Sequence, residues 1–176
     1  MFILYAVVAG LLVGFLLGGR LERLGDVSFR LGPLAVVALV IQLLLFSPLA
    51  GGLPESIARL IYVASTALVV VVVLANLRLA GVPIIVAGAA CNLAAIVANG
   101  GAMPASATAL AALGSGIGSN TNSVLVAHPA LEPLTDIFAT PAWLPLANVF
   151  SVGDVLIGLG VAAALAAAMR NSPRRA

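Results

Sequence analysis

Five apolar runs, each close to the roughly 20 residues that cross a bilayer's hydrocarbon core, divide this 176-residue chain. They read as helices over about Phe2–Gly19, Gly32–Ala50, Ser56–Leu77, Val82–Asn99 and Pro145–Met169. Pro54 and Pro83 fall at helix starts, where the missing N–H is tolerated. The runs are near-continuous and do not alternate, which argues against a membrane β-barrel. Composition agrees. Hydrophobic residues make up 62% and charged residues 8%, against the roughly 25% charge that a soluble surface needs. The expected fold class is all-α, an integral membrane bundle of five transmembrane helices, with residues 1–176 forming a single membrane domain.

The charges set an orientation. All eight basic residues are Arg. Arg20, Arg23, Arg30, Arg78, Arg170, Arg174 and Arg175 fall on one side of a five-helix topology, which the positive-inside rule makes cytoplasmic. Arg59 alone falls on the other side, where it can pair with Glu55 at i−4. The N-terminus is then outside and the C-terminus cytoplasmic. The first run lacks a positive flank and an A-x-A site, so it reads as a retained helix and not a cleaved signal. The implied location is the bacterial cytoplasmic (inner) membrane.

The segment 100–144 is then external, between the fourth and fifth runs. It has no Arg or Lys, two acids and His128. Ser106–Leu113 reads as a short helix between Pro104 and Gly114, and Gly114–Ser123 as a flexible loop. Phe138, Trp143 and Phe150 suit an interfacial aromatic belt. Asn99-Gly100-Gly101 suits a helix C-terminus with a positive-φ residue.

Asp154 is the residue that most needs explaining. It lies about nine residues into the fifth run, where a charge costs roughly 2.5–3.5 kcal/mol on insertion scales. Such a group faces the bundle interior and has a partner. Asn92 lies two turns from Asn99, about 10 Å deeper; Asn148 and Ser151 precede Asp154 on the fifth run. The two polar ladders match in depth, so the fourth and fifth helices should touch, with Asn92 near Asp154. The candidate polar cluster is therefore Asn92, Asn99, Asn148 and Ser151 around Asp154.

Three roles suit Asp154: a hydrogen-bonded lock between helices, half of a catalytic carboxylate pair, or a proton relay. Asp136, before the fifth run, is the second acid that a catalytic pair requires. Its alternative is a turn residue in an external loop. On helix 1, Ala6, Gly10, Gly14 and Gly18 form a small-residue stripe for close helix approach. That stripe packs within the chain or, in the alternative, forms a homodimer. Gln42 is placed to bond across helices, and Asn76 lies at the cytoplasmic end. Cys91 reads as a small buried hydrophobe. His128 has no second His or Cys at ligand spacing, so no metal is expected. There is no P-loop, G-x-S-x-G, H-E-x-x-H or CxxC, no basic stripe for nucleic acid and no cofactor signature. The lipid bilayer is the one firm partner.

The chain resembles a family of uncharacterised bacterial multi-pass membrane proteins, a domain of unknown function. The resemblance rests on Leu17-Gly18-Gly19-Arg20, Asn99-Gly100-Gly101-Ala102-Met103-Pro104, Asn122-Ser123-Val124-Leu125 and Leu146-Ala147-Asn148-Val149-Phe150-Ser151-Val152-Gly153-Asp154-Val155-Leu156-Ile157. It implies a multi-pass membrane protein and no activity. A weaker similarity is to lipoprotein signal peptidases, small membrane aspartyl proteases. In those, one aspartate precedes the last helix and another lies early in it, after an asparagine; Asp136 and Asp154 stand in comparable places. That family has its acid three residues past the asparagine, where this chain has Ser151. The expected function is that of an integral inner-membrane protein of unspecified biochemical role, with a subunit or assembly partner of a membrane complex as one reading. The alternatives are a membrane aspartyl hydrolase using Asp136 and Asp154, and a small transporter or proton-coupled component.

Overall fold

The computed structural model describes residues 2–113 and 123–170 and is mostly helical. The expected loop at 114–122, Asn122 of the third motif, and Arg174 and Arg175 lie outside the described residues. Six helices run in order: α1 (Phe2–Leu16), α2 (Gly32–Leu45), α3 (Glu55–Ala75), α4 (Val82–Ala98), the short α5 (Ala107–Ala112) and α6 (Val152–Arg170). Helices α3 and α6 are long and apolar enough to cross a membrane; α1, α2 and α4 are shorter apolar helices.

Local chemistry explains the ends. Helix α1 stops three residues before the expected Gly19, because Gly18 turns the chain at φ 77°. Helix α2 stops at Leu45, and a 3₁₀ turn follows over Pro48–Ala50, with the Ser47 hydroxyl accepting from the Leu49 N–H. Helix α4 ends as expected: Asn99 caps it, and Gly100 and Gly101 adopt φ 70° and 90°. The largest correction concerns α6. It begins at Val152 and not near Pro145, because Ser151 is its N-cap; before it Pro145 and Leu146 form a turn and Val149–Phe150 a strand.

The chain is mostly helical, as expected, with short strands added: among the described residues between α4 and α6 these are β1 (Met103–Ala105), β2 (Ser123–Leu125), β3 (Phe138–Ala139) and β4 (Val149–Phe150). Strands β1 and β2 pair in parallel, β3 and β4 antiparallel. Helix α5 follows β1, with Ser106 as its cap.

The helices pack in the order α1, α6, α4, α3, α2, with no extensive contact between α1 and either α2 or α3. The bundle is therefore an open arc. Small residues set how closely its members approach. Gly10 of α1 lies against the Ala162 backbone, and Gly14 against Ala166 and Met169 of α6. The α1 stripe is thus taken up by α6 of the same chain, while Gly18 has open space beside it. The α4–α6 seam is tighter still. Gly81 and Gly88 meet Gly160 and Gly153, seven residues apart on each side. A Cβ at Gly160 would lie 2.7 Å from the Gly81 carbonyl oxygen, and one at Gly153 2.7 Å from that of Gly88. Backbone meets backbone along this seam, which only glycine allows.

The two ends of the arc are fastened by polar side chains. At the Arg-bearing end, Arg23 donates to the Met169 and Arg170 carbonyls, which places a cation at the C-terminus of α6. Asn76 is buried there. Its amide donates to the Arg30 and Val72 carbonyls at 2.8 Å and accepts from the Arg30 N–H, tying the end of α3 to the start of α2. At the other end Arg59 pairs with Glu55, as expected, and also reaches the Gly100 carbonyl.

Substitution tests the seam. Gly88→Ala is expected to destabilise the chain by about 1–3 kcal/mol through overpacking. Gly52→Ala, where a Cβ meets nothing within 4 Å, is expected to change little. Equilibrium unfolding of the purified protein distinguishes the two.

Candidate functional site

The α4–α6 crossing carries a closed ring of hydrogen bonds. The Asn92 amide donates to Asp154 Oδ1 at 2.9 Å. The Ser151 hydroxyl donates to Asn92 Oδ1 at 2.8 Å. The Ser151 N–H donates to Asp154 Oδ2 at 3.1 Å, and the Asp154 N–H donates to Ser151 Oγ at 3.0 Å. The last two bonds form a capping box, in which N-cap and N3 residues satisfy each other's backbone donors. Asp154 is therefore in the first turn of α6 and not nine residues deep. There a carboxylate also faces the positive end of the helix macrodipole. Gly153, between the two, is what lets Asn92 in: a Cβ there would collide with the Asn92 side chain.

Of the other expected members, Asn99 lies apart, and Asn148 joins Asn92 and Asp154 only as a neighbour on the cavity wall. Asn99 bonds the Ala95 and Ala130 carbonyls and accepts from the Ala130 N–H, so it pins the 99–151 segment to the end of α4. The Asn148 backbone pairs with Thr140, whose hydroxyl and N–H both meet its carbonyl oxygen. Asp136 is not a surface turn residue. It is 5% exposed and sits in a bridge beside Ala105; its N–H donates to the Pro104 carbonyl, and its carbonyl accepts from the Ser106 N–H.

These residues meet at a cavity of about 410 Å³ on the concave side of the arc. Asp136 and Asp154 both line it, with Asn92 and Asn148. Gln42 and Thr66 add polar groups from α2 and α3 and are bonded to each other at 3.3 Å. Apolar side chains complete the wall, among them Phe2, Val69, Ile85 and Ile157. Among the described residues no Arg, Lys or His lines it. An aromatic stack ties Phe2 of the cavity wall to the 99–151 segment. Phe150 lies 4.5 Å from Phe2 and 5.4 Å from Phe138, centroid to centroid. The Tyr5 hydroxyl adds a bond to the Pro145 carbonyl. Trp143, the third expected belt residue, is 81% exposed.

Sequence reasoning missed Gln42, Thr66 and Tyr62 as members of one cavity, because they share no motif. It also missed the capping box, although Ser151-x-x-Asp154 is its sequence signature. Among the described residues no group of three or more His, Cys, Asp or Glu could hold a metal ion.

The ring has an energetic signature. Ser151→Ala is expected to cost about 1 kcal/mol as a lost cap, and Asn92→Ala about 1–3 kcal/mol for the buried partners it strands. In the double variant the two losses should not add, with a coupling of roughly 0.5–3 kcal/mol in equilibrium unfolding. Additive losses would mean that the two residues act separately.

No curated protein and no solved structure matches this chain. A family model does, over residues 26–166, which takes in α2 to α4, the 99–151 segment and most of α6. The chain belongs to the family of unknown function DUF5317.

Proposed function

We propose that this chain is a five-span protein of the bacterial cytoplasmic membrane that binds a small ligand in the cavity between α1, α3, α4 and α6. The five-span reading draws on α3 and α6, on three shorter apolar helices, and on Arg20, Arg23, Arg30, Arg78 and Arg170 at one end. Helices α1, α2 and α4 are about 21–26 Å long at 1.5 Å per residue. Local thinning of the bilayer and the turn residues at their ends accommodate the difference from a 30 Å core.

One observation carries the ligand-binding reading. The cavity joins apolar walls to a few convergent polar groups, and its volume is in the range of small-molecule sites. A transmembrane helix of a partner subunit, roughly 10 Å across and 30 Å long, occupies about 2,400 Å³. The cavity is far too small for one, so it favours a small ligand over a docked partner helix.

The hydrolase reading draws on the same cavity, since Asp136 and Asp154 both line it. Both Asp154 oxygens, however, already accept from Asn92 and Ser151. A carboxylate held this way serves as a fixed wall group and helix lock, and ligand binding asks no more of it.

Two measurements test the proposal. Reporter fusions should place the C-terminus and the α3–α4 connection in the cytoplasm and the α2–α3 connection outside; a cytoplasmic α2–α3 connection overturns the topology. In a Cys91→Ser background, Val69→Cys on the cavity wall should react with methyl methanethiosulfonate much faster than Val72→Cys, whose position is 1% exposed. Equal, slow labelling at both positions means a cavity packed shut and overturns the binding role.

A further inference from the structure

Resting on that ligand-binding reading, we infer that the ligand is an amphiphile with a cationic amine head, which enters sideways from the bilayer. Three independent observations on the cavity lead there.

The first is charge. Among the described residues, two carboxylates and no basic side chain line the cavity. In a low-dielectric setting an uncompensated like charge is costly, so an anionic head is rejected and an ammonium is favoured. Thr66 and Gln42 offer oxygen acceptors to the same head, whose N–H groups are donors only. The second is the apolar remainder. Phe2, Ile3, Val69 and Ile157 give an aliphatic tail a continuous surface from α1 to α3 and α6. The third is access. Phe2, on the cavity wall, stacks on Phe150 at 4.5 Å. Helix α1 packs on α6 and not extensively on α2 or α3, which leaves the flank of the arc open between them. A ligand dissolved in the bilayer meets that opening directly.

The test uses the full chain in nanodiscs and three probes of equal length: decylamine, decanol and decanoate. Decylamine should bind saturably, about tenfold or more tighter than decanol, and decanoate should not bind. Asp136→Asn should weaken decylamine by about 30-fold or more and leave decanol unchanged. Val69→Trp, which fills the cavity, should abolish both. If decylamine and decanol bind equally and Val69→Trp removes both, the cation assignment fails while the cavity remains a binding site. If no probe binds saturably, or Val69→Trp changes nothing, the ligand-binding reading fails with it. Should Asp136→Asn not fold, the ranking of the three probes on the natural chain, with Val69→Trp, decides the cation assignment.

Discussion

The ring joining Asn92, Ser151 and Asp154 is the interaction on which the rest of this structure depends. An acid among apolar helices is tolerable only when donors surround it. Here they come from two sources at once: the neighbouring helix through Asn92, and the carboxylate's own helix through the Ser151 N–H. The same four bonds fix where α6 begins. Because α6 begins at Val152, residues 147–151 stay outside the helix, and Val149 and Phe150 pair with Phe138 and Ala139. That pairing sets the Phe150 ring against Phe138, with Phe2 of α1 on it as well. A single capping arrangement thus determines a helix boundary and a strand.

Helix approach is the second condition. Asn92 reaches Asp154 because Gly88 and Gly153 allow the two backbones to meet. Seven residues further along each helix, Gly81 and Gly160 repeat the arrangement. On the other side of α6, Gly10 and Gly14 bring in α1. Helix α6 is gripped on two faces by small residues and becomes the axis of the arc. Helices α2 and α3 join at the far side of α4, where Gln42 meets Ser65 and Thr66. The concave side of that arrangement is left unfilled, and the cavity lies there.

Much of this was legible in the chain. The apolar runs located all five long helices, and matched depth along two polar ladders brought Asn92 to Asp154. The start of α6 was not legible from hydropathy, because Leu146, Ala147, Val149, Phe150 and Val152 carry the apolar run on into the helix that follows. The boundary is written instead in the Ser151–Asp154 spacing, a signal of local hydrogen bonding and not of periodicity. The glycine seam was hidden for a similar reason. A spacing of seven on each of two helices carries no GxxxG mark, whereas the stripe on α1 does. The strands, two or three residues each, are too short to show alternation, and Asp136 owes its burial to backbone pairing with Pro104 and Ser106, which are distant in sequence.

Solid-state NMR of the protein in lipid bilayers, with the Asn92 side-chain nitrogen and the Asp154 carboxyl carbon labelled, tests the central claim most directly. The account requires a through-space correlation between them at hydrogen-bonding range, lost on Ser151→Ala or weakened with it. A strong Asp154 signal with no correlation to any side-chain amide would contradict it.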